Sequence, residues 1–351
     1  MMHARDKAVL RLSLGLGLAS ALAYGFALPV PFVSCVLAVL VLSKPGPPLP
    51  LVKGLIVALL FAGFVLAGVL MVPLLENYAF AGILLTAVIV FSVIHAGQLS
   101  GSPATVLLVI SFALIPVAGV ADQALVSLLS ISLAVGFAVG TLVSTVSSRL
   151  FPDPVEPGQV GKQRPPPDHA QARWIALRTV AIVMPVFVLA LTNPSFYLAA
   201  VMKTVTLGQQ ASELDARSAG RELIGSTLMG AFVALAVWCG LSLWPTLWML
   251  VLWLMAAALW TGAGMLRIRQ TRYRPSFWSN ALVTALILLG PAIEDSASGK
   301  SVLLGAAMRT SLFVFVALYA WAIVWLLERW RNMSRPLADQ SPAFPDRVEI
   351  T

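Results

Sequence analysis

Twelve apolar runs divide the chain. They cover roughly 10–27, 30–43, 53–73, 78–96, 103–119 and 123–147, then 174–192, 194–211, 221–243, 246–265, 278–292 and 301–327. The runs are continuous, not alternating, which excludes a β-barrel and predicts helices. Many reach the roughly 17 to 25 residues needed to cross a bilayer. The second and fifth runs of each half are shorter and are expected to be tilted, broken or half-inserted. The fold predicted is therefore all-α: a polytopic transmembrane helical bundle of about twelve spans.

The pattern repeats. Lys53-Gly-Leu-Ile and Ala62-Gly-Phe-Val align without a gap on Arg221-Glu-Leu-Ile and Gly230-Ala-Phe-Val. Pro116 ends the fifth run of the first half, and Pro291 ends the fifth of the second. Asp122 follows the first proline; Glu294 and Asp295 follow the second. Ser148-Arg149-Leu150 closes one half as Glu328-Arg329-Trp330 closes the other. Six runs per copy give two tandem repeats of the same orientation, related by an axis along the membrane normal. The expected organisation is a first repeat over 1–150, a proline-rich cytoplasmic linker over 151–172, a second repeat over 173–333, and a disordered cytoplasmic tail over 334–351. Six prolines in the linker point to a solvated, partly extended segment.

Composition agrees. The 351 residues are 59% hydrophobic and 11% charged, against roughly 25% charged in a soluble domain. The net charge of +8 does not indicate nucleic acid, because Lys and Arg alternate between the turns of one side. Arg5, Lys7, Lys44, Lys53, Arg149, Arg173, Arg221, Arg267–Arg274, Arg329 and Arg331 fall on that side. The other holds Glu76, Asp122, Glu294, Asp295 and a lone Lys300. By the positive-inside rule both termini are cytoplasmic. Trp174, Trp244, Trp248 and Trp330 lie near run ends, as interfacial aromatics do. Arg5, Lys7 and Arg11 before an apolar stretch, with Ala21-Leu22-Ala23 after it, imitate a signal peptide. The internal repetition of this run favours a retained first span. Cys35 and Cys239 lie inside apolar runs, outside any CxxC, and are read as small packing residues.

Few motifs carry chemistry. Gly299-Lys300-Ser301 resembles the end of a P-loop, but Glu294 stands where its first glycine belongs. No metal-ligand spacing and no nucleotide motif occurs, so neither an enzyme nor a cofactor is expected. Gly136-Phe-Ala-Val-Gly140, with Gly225 and Gly230 on a neighbouring face, predicts close helix packing. Pro116, Pro185 and Pro291 free carbonyls inside or at the ends of spans.

The stretch 196–230 carries the strongest signal. Its apolar run contains Lys203, then the amide pair Gln209 and Gln210, then a charged turn. A lysine in hydrocarbon is costly and marks function by default. Arg178 lies one turn inside its span and can snorkel. Lys203 and Arg309 lie roughly 12–13 Å deep at 1.5 Å per residue, and their counterparts near Val39 and Ala134 are apolar. Lys203 and Arg309 are therefore expected to share one central carboxylate site, with Gln209 and Gln210 below it. The bland alternative pairs Arg309 with Glu294 or Asp295, or with carbonyls near Pro291, as a structural lock. His95, Asp122, Glu294 and Asp295 are candidate proton or gate residues, His95 more often being a plain polar end residue.

Arg221-Glu-Leu-Ile-Gly225-Ser-Thr-Leu-Met-Gly230, after a polar hairpin, resembles the Arg…Gly-Ser/Thr…Gly element of the fusaric-acid-resistance or aromatic-acid-exporter superfamily. The tandem six-span halves are similar too, and the size resembles its short bacterial branch of unknown function. Larger members carry a sizeable cytosolic domain where only 151–172 stands here, and the first half loses the glycine at Val57. The resemblance implies an inner-membrane exporter of small, often aromatic, carboxylates working with a periplasmic membrane-fusion adaptor. The partners so implied are the bilayer, a small organic anion and that adaptor; assembly with further copies of the chain is left open. The driving force would be the proton gradient or the membrane potential; the lack of an acid at mid-depth weakens proton antiport and leaves potential-driven movement open. The alternative is a non-transporting scaffold or partner subunit in envelope-polymer or lipid assembly.

The side assignment is directly testable. A reporter active only in the periplasm should stay silent when fused after Pro157 and be active after Ser296. The opposite pattern would invert the topology.

Overall fold

The computed structural model describes residues 4–43, 51–100, 105–152, 168–212, 216–299 and 301–333. These form thirteen helices and no strand. They are α1 (Ala4–Gly25), α2 (Pro31–Leu42), α3 (Leu51–Val69), α4 (Val72–Asn77), α5 (Ala79–Ser100), α6 (Thr105–Ala121) and α7 (Gln123–Leu150). There follow α8 (His169–Thr192), α9 (Pro194–Ser212), α10 (Ala216–Leu243), α11 (Leu247–Met265), α12 (Pro275–Ala297) and α13 (Val302–Met333). Eight of them, namely α1, α5, α7, α8 and α10 to α13, are long and apolar enough to cross a membrane. The chain is a multi-pass helical membrane protein. Large apolar side chains cover its outside: Leu59, Phe80, Phe232, Leu243 and Trp248 are all more than half exposed. A soluble monomer does not present apolar surface on that scale.

Each of the twelve runs becomes a helix, with three corrections. The third run breaks after Val69, and α4 is an extra short helix. Pro73 lacks the N–H that would bond Val69, and its ring clashes with that carbonyl. Pro116 and Pro291 do not end their helices but lie inside α6 and α12. Each removes one hydrogen bond, while packing on all sides carries the helix onward. The linker is shorter than expected. Asp168 caps α8 by accepting from His169 N at 2.7 Å, so 169–172 are already helical. Residues 153–167 and the tail from 334 lie outside the described residues, as do Lys300 and the acidic positions 213 and 215.

Of the runs expected to be short, only those of the first half are. α2 and α6 have 12 and 17 residues, about 18 and 26 Å at 1.5 Å per residue. α9 and α12 have 19 and 23. All four nonetheless occupy the same kind of place. Val33–Val39 of α2 are buried without interruption, and along α6 every residue from Thr105 to Gly119 is buried except the half-buried Leu108. Nearly every residue from Ala200 to Ala211 of α9 is buried, and so is Asn280–Gly290 of α12. A helix buried on all faces sits in the centre of the bundle. The other helices pack around these four.

The packing pairs come in matched sets. α1 packs on α2 and α7, and α8 packs on α9 and α13. α7 also packs on α2, α3 and α6, and α13 on α9, α10 and α12. α6 packs on α3 and α5, and α12 on α10 and α11. Contacts across the middle match as well: α1 lies against α11 and α5 against α8, while α2 meets α12 and α6 meets α9.

Glycines set the closest approaches. A Cβ on Gly136 would stand 2.9 Å from Ser34 Cα, and one on Gly140 3.2 Å from Ala38 Cα, so α7 lies directly on the α2 backbone. A Cβ on Gly230 would stand 2.6 Å from the Ala281 carbonyl, which brings α10 equally close to α12. These are the contacts the small residues predicted. Of the cysteines, Cys35 packs inside, but Cys239 is exposed on the outer face of α10.

The proline in α8 has a specific partner. Pro185 cannot bond the Ala181 carbonyl one turn back. The Tyr319 hydroxyl of α13 donates to that carbonyl at 2.7 Å. Tyr319→Phe should therefore leave a carbonyl unsatisfied and destabilise the fold by about 1–3 kcal/mol. Thermal unfolding of the detergent-solubilised protein measures this, and an unchanged Tm would show that the carbonyl does not depend on the phenol.

Candidate functional site

The ends of the helices gather charge unequally. At one end α2, α5, α7, α9, α11 and α13 finish, and α1, α6, α8, α10 and α12 begin. That end holds Arg149, Arg173, Arg221, Arg267, Arg269, Arg272, Arg274, Arg329 and Arg331. The opposite end holds Glu76, Asp122, Glu294 and Asp295.

From the arginine-rich end a cavity of about 480 Å³ enters between the central helices. Its walls come from α2, α6, α9 and α12 with Thr179 of α8, and the ends of α5 and α11 lie at the rim. The lining is polar but uncharged. Gln209 and Gln210 of α9 face Asn280, Ser279 and Ser276 of α12, with Gln98 at the end of α5. Thr105, Thr179 and Thr206 add hydroxyls, and Val106, Val109, Val205 and Val283 form the apolar part. Polar side chains on otherwise apolar helices converge here because the bundle interior is the one place where they avoid lipid.

Behind the cavity wall lies Lys203, fully buried. Its Nζ donates to Thr284 Oγ1 at 2.6 Å and to Asn280 Oδ1 at 3.3 Å. Thr284 passes its own proton to the Asn280 carbonyl at 2.5 Å. The Asn280 amide then donates to Gln210 Oε1 and to Ser226 Oγ, each at 2.7 Å. Gln210 Nε2 donates onward to the Glu222 carbonyl at 3.2 Å. Thus α9, α10 and α12 share one buried network, and Asn280 and Gln210 are its members that also line the cavity. Gly230 permits it, since any side chain there would collide with Thr284.

The structure brings Lys203, Gln210 and Gln209 to one place, and it does not bring Arg309 there. Arg309 Nη2 donates to Asp295 Oδ2 at 2.7 Å. Asp295 is eleven residues beyond Thr284 on α12, roughly 16 Å along the axis. The expected shared Lys203–Arg309 site is corrected accordingly, and the structural lock is the arrangement found. Equal depth from an outer end was a poor guide, because α13 presents Arg309 to the end of α12 and not to its middle.

The remaining candidates disperse. Asp122 is exposed and caps α7, accepting from Ala124 N at 2.9 Å. Glu294 is exposed beside the Arg309–Asp295 pair. His95 stacks on Phe91 with centroids 6.0 Å apart and lies 6.1 Å from the His169 ring, where α5 meets α8. It stands beside the cavity rim formed by Ile94, Gly97 and Gln98. Arg178 does not snorkel. It is buried, pairs with Glu328 of α13 at 3.2 Å and donates to the Ala211 carbonyl at the end of α9. Trp174 Nε1 also donates to Glu328, at 3.2 Å.

Sequence reasoning missed Asn280, Thr284 and Ser226. The signal was present: Asn280 and Thr284 stand one helical turn apart in an apolar run, the same spacing that marks a helix face. No protein-family model, curated protein or solved structure matches this chain.

The network sets up two opposite expectations. Lys203→Met removes a buried charge and keeps its volume, so the fold should be as stable as before or more so. Asn280→Leu instead strips Lys203, Gln210 and Ser226 of a partner at once, and should cost about 3–5 kcal/mol. Tm values of the two purified variants check this. Equal destabilisation by both would mean the ammonium itself holds the helices together.

Proposed function

We propose that the protein is a permease that moves small organic anions, carboxylates foremost, through the centre of two tandem six-helix repeats. The observation that carries this reading is the polar, uncharged cavity between the four central helices with Lys203 directly behind its wall. Amides and hydroxyls there can donate to a carboxylate. The ammonium, bonded to Asn280, supplies positive potential where water is scarce and charge is weakly screened. A scaffold has no need of a vestibule or of a buried cation.

The repeat reading rests on the matched packing pairs. α1, α2, α3, α5, α6 and α7 correspond in order to α8, α9, α10, α11, α12 and α13, with α4 an insertion. Both the pairs within each set and the crossed pairs, α1–α11 with α5–α8 and α2–α12 with α6–α9, then map onto each other. Two same-orientation units related by a twofold along the membrane normal give this pattern. The cavity falls between α2, α6, α9 and α12, where that axis runs. Twelve crossings follow if α2, α3, α6 and α9 traverse beside the eight long apolar helices. In this reading Val39, the counterpart of Lys203, leaves the pathway chemically one-sided.

The likeness to the aromatic-acid-exporter superfamily adds the direction, export across a bacterial inner membrane with both termini cytoplasmic. It also adds a periplasmic adaptor, since the turns opposite the arginine-rich end are too short to bridge a periplasm.

The experiment is counterflow of radiolabelled benzoate and related aromatic carboxylates in proteoliposomes. Wild-type protein should exchange them. Lys203→Met and Gln210→Leu should each lower the rate by on the order of tenfold or more, equal to about 1.4 kcal/mol of lost stabilisation, while the exposed Glu294→Gln leaves it unchanged. Wild-type rates in both cavity variants, with the proteins folded, would remove the anion site. Absence of any exchange by wild-type protein would remove the transport reading itself.

A further inference from the structure

A second hollow, of about 430 Å³, lies away from the central cavity, where the turn between α11 and α12 folds against the start of α10. We propose that it is a binding site for the phosphate of an anionic phospholipid headgroup. Three guanidinium groups line it, from Arg221, Arg269 and Arg272, with Trp260, Trp278 and Met229. All three arginines are exposed. Among the described residues no carboxylate lies within ion-pair distance of any of them, in contrast to Arg178 and Arg309, although Glu222 attracts Arg221 from further off.

The site is built, not a casual cluster. The Arg269 guanidinium carbon lies 4.8 Å from the Trp260 ring and 4.8 Å from the Trp278 ring. The two indoles stand edge to face, 5.2 Å apart and at 84°, and form a corner that fixes the cation. Trp278 is itself held, donating from Nε1 to Thr271 Oγ1 at 3.3 Å. Arg221 lies over Tyr273 at 5.8 Å. The turn starts from a capped helix end: Arg267 N bonds the Gly264 carbonyl and Ile268 N the Ala263 carbonyl. This holds Arg267 in the left-handed region at φ 56°, a conformation that an ordinary side chain disfavours. The strained turn folds 268–274 back over the hollow.

Arginine suits phosphate because its fork gives two parallel hydrogen bonds to two oxygens. Free phosphate would satisfy that chemistry, but the surroundings favour a lipid. Met229 stands eight residues past Arg221 on α10, about 12 Å further along the helix. Below it α10 presents Phe232 and Leu235, both exposed. The hollow thus has a cationic rim at the arginine-rich end and an apolar flank that continues toward hydrocarbon. Trp260, 38% exposed, sits where amphipathic rings favour the membrane interface.

The test uses the full chain, purified and delipidated in detergent. Native mass spectrometry reads the lipid retained on adding phosphatidylglycerol or phosphatidylcholine at equal concentration. Wild-type protein should keep the anionic lipid in preference. The triple variant Arg221→Gln, Arg269→Gln, Arg272→Gln should bind it about a hundredfold more weakly. Arg329→Gln with Arg331→Gln, at the same end, should bind as wild type does. Should the triple variant unfold, Arg272→Gln alone is expected to weaken binding in the same direction, since Arg272 is exposed and stacks on no ring. Retention by the folded variants equal to wild type overturns the site, as does equal loss in the Arg329/Arg331 control. Glycerol 3-phosphate and inorganic phosphate form the soluble arm. Displacement of the lipid by either, mole for mole, overturns the lipid as its occupant.

Discussion

The ammonium of Lys203 must find all of its partners inside the protein. Its side chain has no exposure. An unpaired charge at the middle of a bilayer costs at least about 2.5–3.5 kcal/mol on insertion scales. That demand fixes the relation of three helices. α12 must present Asn280 and Thr284 to α9, which requires α12 to approach α10 closely, and Gly230 makes room. Asn280 must then turn its amide to Gln210 and Ser226. The cavity is bounded by the same side chains, so its shape is tied to the charge behind it.

Around this centre the polar interactions divide into two kinds. Pairs that join neighbouring helices are closed: Arg178 with Glu328 and Ala211, Arg309 with Asp295, Tyr319 with the carbonyl that Pro185 releases. Most of their groups are taken up by one another, Arg309 Nη1 excepted. The groups lining the cavity and the α11–α12 turn instead border open space. Amide and hydroxyl side chains face the first space, and guanidinium groups face the second. Buried closed pairs act mainly on the uniqueness of the packing, while open polar groups in concave places are where ligands bind.

Much of the architecture was legible because hydrophobicity along a helix is a one-dimensional signal. Each apolar run became a helix, and the small residues at Gly136, Gly140 and Gly230 marked true close contacts. Depth is also one-dimensional, and it singled out Lys203 correctly as a buried cation. What depth does not contain is rotation about the helix axis and the identity of the neighbour. Arg309 and Lys203 lie a similar number of residues from a helix end, yet Arg309 reaches the end of α12 at Asp295 while Lys203 meets its middle at Thr284. Arg178 looked able to reach the surface because its partner, Glu328, lies 150 residues away. Gln210 was found as a polar residue, whereas Asn280 was overlooked in a run that reads as plain hydrocarbon-spanning sequence. The α11–α12 turn read only as a source of positive charge; its indole corner exists because Trp260 and Trp278, on different helices, converge on Arg269.

The crossed contacts of α1 with α11 and of α5 with α8 bear on the order in which the chain can mature. The Ser13 hydroxyl donates to the Met255 carbonyl, 242 residues further on. A ribosome delivers α1 to the membrane first, so its buried face has only lipid and early neighbours until α11 has been made. The first six helices therefore wait, inserted but unclosed, for nearly the whole of synthesis. Contacts so distant along the chain are slow to form and leave incomplete species exposed meanwhile. Such a molecule matures in a single late step, when its last helices arrive, and a chain released early would be left with the seam of α1 and α5 open to whatever else the membrane holds.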